Sequence, residues 1–112
     1  MKPKAVIFDL DGTLLDTLDD IADAVNRVLA TQGLPTHHRE AYRWFIGDGA
    51  RILVTRALPE YRREDANIDA CLAAFKQDYS LNWHVKTRPF EGIPRLVAML
   101  QAAGTRMAVV SN

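Results

Sequence analysis

The sequence predicts an α/β fold, and three observations carry that expectation. A short apolar run at residues 5–8 delivers two carboxylates, Asp9 and Asp11, into a glycine turn; a second apolar run at residues 107–110 ends at Ser111 and Asn112; the stretch between them repeats its apolar residues at helical spacing. Val6, Ile7 and Phe8 are residue types of a buried strand, and Gly12-Thr13 stops that strand just as the carboxylates appear. Ligands bind at the carboxyl edge of open parallel sheets, and side chains two apart on an extended chain point the same way. Asp9 and Asp11 are therefore expected to face one ligand.

The elements follow in order. Thr17, three residues before Asp20, makes a capping-box start for a helix whose Leu18, Ile21, Val25, Val28 and Leu29 recur at helical spacing until Gly33, Leu34 and Pro35 end it. A second helix is expected from Thr36, carrying Ala41, Tyr42, Phe45 and Ile46 and breaking at Gly47, Asp48 and Gly49, with Tyr42 and Phe45 in the core. Ile52, Leu53, Ala57 and Leu58 mark a short third helix that closes near Pro59. A longer fourth begins at about Glu64, with Ile68, Cys71, Leu72, Phe75 and Tyr79 as its buried stripe and Asp69, Lys76, Gln77 and Asp78 on its polar face. Arg88-Pro89-Phe90-Glu91-Gly92-Ile93-Pro94 reads as a linker, Leu96, Val97 and Leu100 mark a further helix ended by Gly104, and residues 107–110 form the second buried strand. Trp44 and Trp83 are expected to pack inside or line a cleft, and His37 and His38 to lie exposed near a helix start, since nothing around them resembles a metal site.

Composition narrows the function classes. The chain has 112 residues, 14 basic against 14 acidic side chains and 48% hydrophobic residues, the profile of an ordinary soluble globular domain. A nucleic-acid surface would leave a basic excess, and the one arginine pair, Arg62-Arg63, is followed at once by Glu64 and Asp65. The lone Cys71 excludes an internal disulfide framework and sits at apolar helical spacing from Ile68 and Phe75, which points to a buried thiol. No apolar run reaches membrane-spanning length, and Met1-Lys2-Pro3-Lys4 leads into only a strand-length apolar segment. The expectation is a cytoplasmic protein that binds neither nucleic acid nor membrane.

An Asp pair beside a glycine has bland readings. Asp and Gly are ordinary turn residues, so the pair could simply end a strand. A calcium loop would use Asp9, Asp11, Thr13 and Asp20, but Gly12 falls two places too early and no helix precedes it. The strand before the pair and the acidic helix start after it favour phosphoryl-transfer chemistry. A carboxylate held against a divalent cation stays ionised and nucleophilic, whereas a neighbour that holds a proton near neutral pH can act as an acid.

Asp9-Leu10-Asp11-Gly12-Thr13, with its apolar strand in front, closely resembles the first motif of the haloacid dehalogenase superfamily. The resemblance implies a Rossmann-like parallel sheet core, incomplete in this chain, with an inserted α-helical cap: core at residues 1–16 and 86–112, cap at residues 17–85. A right-handed crossover would then place the end of the second strand beside Asp9. The resemblance makes Asp9 the nucleophile that forms an aspartyl-phosphate and Asp11 the acid and base. Thr13, Ser111 and Asn112 would hold the phosphate, and Asp9 with the Asp11 carbonyl would bind Mg²⁺, a hard cation suited to oxygen ligands. The cap loop Gly47, Asp48, Gly49 and Arg51 matches the position where family caps meet the substrate's non-phosphate end. Arg51 would pair there with a carboxylate, or else face solvent, and Asp48 could equally cap the next helix.

The pattern is most similar to the phosphoglycolate phosphatase branch, through residues 6–17, the loop Ile46-Gly47-Asp48-Gly49, and the approach Pro89-Phe90-Glu91-Gly92-Ile93 with its following strand. That implies a small phosphorylated metabolite as partner. Asp11 argues against the dehalogenase and phosphonate-cleaving branches, which lack an acid there. A sugar phosphomutase, or a non-catalytic phosphate-binding or assembly module, would share much of the pattern. Family members continue with a lysine and a further acidic motif that this chain does not contain, and Lys2, Lys4, Lys76 and Lys86 do not follow a suitable strand and helix. The expectation is an amino-terminal portion of a longer enzyme, with little turnover by itself.

Overall fold

The computed structural model describes residues 5–9 and 15–110. In chain order its elements are β1 (Ala5–Asp9), β2 (Leu15–Asp16), α1 (Leu18–Thr31), α2 (Tyr42–Phe45), α3 (Ala50–Ala57), α4 (Asp65–Asn82), β3 (Arg88–Pro89), α5 (Ile93–Ala102) and β4 (Arg106–Val110), with 3-10 turns at Arg39–Ala41 and Glu60–Arg62. The chain divides into two compact units: Met1–Thr17 with Arg88–Asn112, and the inserted helical segment Leu18–Thr87.

In the first unit β1 and β4 pair in parallel, from Ala5 opposite Arg106 to Asp9 opposite Val110. A parallel pair needs a crossover, and here the crossover holds the whole helical unit. Leu15 and Asp16 pair antiparallel with Pro89 and Arg88, so the expected linker begins with a short strand. Gly92, with φ of 85°, turns the chain into α5, and Pro94 occupies its first turn, where a missing N–H costs nothing. Gly104, with φ of 74°, ends it, and the Thr105 N–H donates back to the Leu100 carbonyl. The expectation of two buried strands is corrected: Phe8 is buried, but Ile7 is 71% and Val109 54% exposed. Strand side chains alternate between faces, and the exposed residues stand on positions left uncovered among the described residues.

The helical unit has its own core. Ile21, Val25, Val28 and Leu29 of α1 meet Leu53 and Val54 of α3 and Ile68, Cys71 and Phe75 of α4, with Tyr42 and Leu58 wholly buried among them. Each large apolar side chain so buried contributes about 1.5–3 kcal/mol. Gly33 at φ of 68° reverses the chain after α1, letting the Leu34 N–H donate to the Leu29 carbonyl.

The second helix is shorter than expected. Its start at Thr36 is replaced by extended chain through His38, then a 3-10 turn and the four-residue α2. Asn26 is the cause: its Nδ2 donates to the His37 carbonyl at 2.8 Å and its Oδ1 accepts the His37 N–H at 3.0 Å. Both His37 backbone groups are thereby withdrawn from helix formation. His37 is half-buried rather than exposed, its Nε2 donating to the Ala57 carbonyl and its ring edge-on to Tyr42 and Phe45. Trp44 is 82% and Trp83 48% exposed, so of the two expectations for them packing inside is corrected, and Ile52 is 40% exposed. Tyr42 and Phe45 take the inner face of α2 and Leu53, Val54 and Ala57 that of α3, leaving Trp44 and Ile52 outside. Among the described residues no helix is long and apolar enough to cross a membrane.

Candidate active site

Parallel pairing sets the geometry of the first motif. Asp9 is the last residue of β1 and lies opposite Val110, the last of β4, so both strands end at one edge of the ladder. That edge is the carboxyl end of both strands, the ligand-binding edge of a parallel sheet. Asp11, Thr13, Ser111 and Asn112 lie outside the described residues, and Asp9 is placed by its backbone. Asp9 and Asp11 offer only oxygen donors, the chemistry a hard cation such as Mg²⁺ takes. Among the described residues no group of three or more His, Cys, Asp or Glu is arranged to hold a metal.

The other predicted residues lie in the helical unit, at the elbow between α2 and α3. Gly47 and Gly49 have φ of 122° and 91°, values that L side chains rarely adopt, although a Cβ at either would meet nothing within 4 Å. The glycines are thus required by the path of the backbone rather than by crowding. Gly49, not Asp48, is the N-cap of α3. The Asp48 carboxylate instead meets Arg56 at 2.8 Å.

Arg51 is held by α4. Its Nη1 donates to Asp69 at 2.5 Å and its Nη2 to Asp65 at 3.4 Å, and the Asp69 carboxylate raises the guanidinium pKa further above its usual range. All three side chains remain substantially exposed, so the cluster contributes little to stability.

Two residues matter here in ways that sequence spacing did not show. Arg56 reaches back along α3, donating through Nη1 to the Trp44 and Phe45 carbonyls at 3.4 Å each while it pairs with Asp48. Asp20, expected to close a capping box with Thr17, is 3% exposed and serves residues far along the chain. Its carboxylate accepts the Lys86 N–H at 2.8 Å, the Thr87 N–H at 2.6 Å and the Thr87 hydroxyl at 2.7 Å. Burial opposes its ionisation, but these hydrogen bonds outweigh it and hold the carboxyl below its ordinary pKa. No local signal in the sequence connects positions 20 and 87.

Burial raises the Cys71 thiol pKa and that of the Tyr42 hydroxyl, which donates to Asn26 Oδ1 at 2.5 Å. Cys71 is thus the inert buried thiol its spacing implied.

A parallel two-strand ladder, an Asp-x-Asp-Gly-Thr sequence that begins at the last residue of its first strand, and a helical segment between the strands in chain order are the features to be matched. The chain belongs to the haloacid dehalogenase-like hydrolase family, whose model matches residues 6–112. It is 34% identical to a phosphoglycolate phosphatase of Mesorhizobium japonicum, over 100% of this chain and 50% of that protein. It is 38% identical to phosphoglycolate phosphatase 1 of Pseudomonas aeruginosa, over 98% of this chain and 42% of that protein. A crystal structure of a candidate phosphoglycolate phosphatase from Lactobacillus delbrueckii subsp. bulgaricus superposes with a TM-score of 0.93 at 34% identity, covering 100% of this chain and 56% of that one. The chain spans about half the length of the curated relatives it matches.

Proposed function

We propose that the protein carrying this chain is a Mg²⁺-dependent phosphatase that hydrolyses a small phosphomonoester such as 2-phosphoglycolate through an aspartyl-phosphate on Asp9. The observation that carries the proposal is the register of Asp9 against Val110, which ends β1 and β4 at one edge, with Asp11 and Ser111 following in sequence within two residues. Family membership and relatives named phosphoglycolate phosphatases support it.

In the proposed reaction an Asp9 carboxylate oxygen attacks phosphorus as the bond to the substrate's ester oxygen breaks, and Asp11 gives its proton to that oxygen. Asp11 then removes a proton from water, whose oxygen attacks phosphorus and releases inorganic phosphate, restoring the Asp9 carboxylate. Thr13, Ser111 and Asn112 hold the phosphate through hydroxyl, amide and backbone donors. Asp9 and the Asp11 carbonyl are the proposed ligands of Mg²⁺, which when bound offsets negative charge on the transferring group. The loop of Gly47, Asp48 and Gly49, with Arg51, is assigned to the substrate's non-phosphate end. The proposed place of action is the cytoplasm, where charged phosphorylated metabolites are retained because they do not cross a bilayer unaided.

The test is release of inorganic phosphate from 2-phosphoglycolate by the protein of native length, with and without Mg²⁺. Mg²⁺-dependent release that Asp9→Asn abolishes supports the proposal; transfer of the phosphate to a sugar instead of water would mark a phosphomutase.

A further inference from the structure

The loop of Gly47, Asp48 and Gly49 is built from residues that do not order themselves. Two of its three members are glycines in left-handed or related conformations, which carry the largest conformational entropy of any residue. The α2 helix before it has only four residues, too short to fix where its last turn ends.

Arg56 supplies what the loop lacks. It sits in the last turn of α3, and its guanidinium donates to the Trp44 and Phe45 carbonyls of the last turn of α2. A cation there satisfies carbonyls that have no helical partner and complements the negative end of the helix. The same group meets the Asp48 carboxylate at 2.8 Å, so one planar fork joins the end of α2 to the middle of the loop. Its own helix is anchored in turn: Arg63 donates to the Leu58 carbonyl at 2.9 Å and to the Arg56 carbonyl at 3.4 Å. Arg51, the other arginine of α3, is committed to Asp69 and Asp65 of α4 and does not share this task.

We infer that Arg56 is the positioning residue of the Gly47-Asp48-Gly49 loop and, through it, a determinant of substrate specificity. This rests on the assignment of the loop to the substrate's non-phosphate end. Arg56 touches no reacting atom; it holds the backbone and the Asp48 carboxylate in the arrangement that meets the substrate.

The experiment compares wild type, Arg56→Ala and Arg56→Lys in the protein of native length, by amide hydrogen exchange of the loop and by kinetics on 2-phosphoglycolate and phenyl phosphate with Mg²⁺. Phenyl phosphate has no polar group at its non-phosphate end. For Arg56→Ala, exchange at Asp48 and Gly49 should accelerate and KM for 2-phosphoglycolate should rise about three- to fivefold, the loss expected for an exposed ion pair, with kcat within about twofold. KM for phenyl phosphate should stay within about twofold of wild type, and Arg56→Lys should recover part of the loss by keeping the charge without the fork. Unchanged loop exchange overturns the positioning role and leaves the phosphatase proposal standing. An equal rise in KM for both esters, or no rise for either, overturns the specificity role. A wild-type protein inert toward both esters overturns the phosphatase proposal, and the specificity role falls with it.

Discussion

Asp9 and Val110 form the last pair of the parallel β1/β4 ladder. One residue beyond Val110 stands Ser111, and two beyond Asp9 stands Asp11. The ends of β1 and β4, about a hundred residues apart in sequence, are therefore brought to one edge by backbone hydrogen bonding alone, before any side chain acts. Asp9→Asn keeps the size of the side chain and removes its nucleophilic charge. Turnover in the protein of native length should fall by about a thousandfold or more while the unfolding midpoint stays near wild type, measured by phosphate release and thermal denaturation.

Asp20 closes the helical unit upon itself through Lys86 and Thr87. Asp20→Asn would place an amide donor against N–H donors, and Asp20→Ala would leave them without an acceptor; each should cost about 2–3 kcal/mol in denaturant unfolding. The folded carboxyl pKa lies below its ordinary 3.8, so the stability it contributes is present above that value and is lost as pH falls through the folded value. The acid limb of the stability curve should therefore be shallower in Asp20→Asn than in wild type.

Asn26 holds both backbone groups of His37 and accepts from Tyr42. Asn26→Ala should destabilise the helical unit by about 2 kcal/mol, because it strands a pair of backbone groups and a buried hydroxyl at once. Tyr42→Phe, which removes a single hydrogen bond, should cost about 1 kcal/mol. Urea titrations of the two variants check the order.

Exposure separates residues of similar character. Leu29 is wholly buried between α1 and its neighbours, and Leu29→Ala should cost about 2–5 kcal/mol. Trp44 is 82% exposed despite its size, and Trp44→Ala should leave the thermal midpoint nearly unchanged, a difference of about 0.5 kcal/mol or less.

The fold was legible where periodicity was strong and local. The apolar stripes of α1 and α4, the buried Cys71 and the turn at Gly33 all follow from spacing of the kind a single segment carries. The partnership of β1 with β4 was legible too, because a parallel pair obeys the handedness of its crossover. What escaped depends on residues distant in sequence. Asn26 ends the second helix early by binding His37 eleven positions away, and Asp20 finds Thr87 across the whole helical unit. Trp44 was expected to pack inside or line a cleft, whereas the inner face of α2 belongs to Tyr42 and Phe45. Of the candidate site, the loop was visible from its glycines, but the choice between the two arginines of α3 was not: which carboxylate each one reaches is decided by the packing of α3 on α4 and α2.

The most direct test of the central claim is acid-quench mass spectrometry of the protein of native length during turnover of 2-phosphoglycolate with Mg²⁺. The account predicts a phosphoryl group on the peptide that contains Asp9, formed within the first turnover and absent from Asp9→Asn. Turnover with no such adduct, or with the phosphoryl group on another residue, would contradict it.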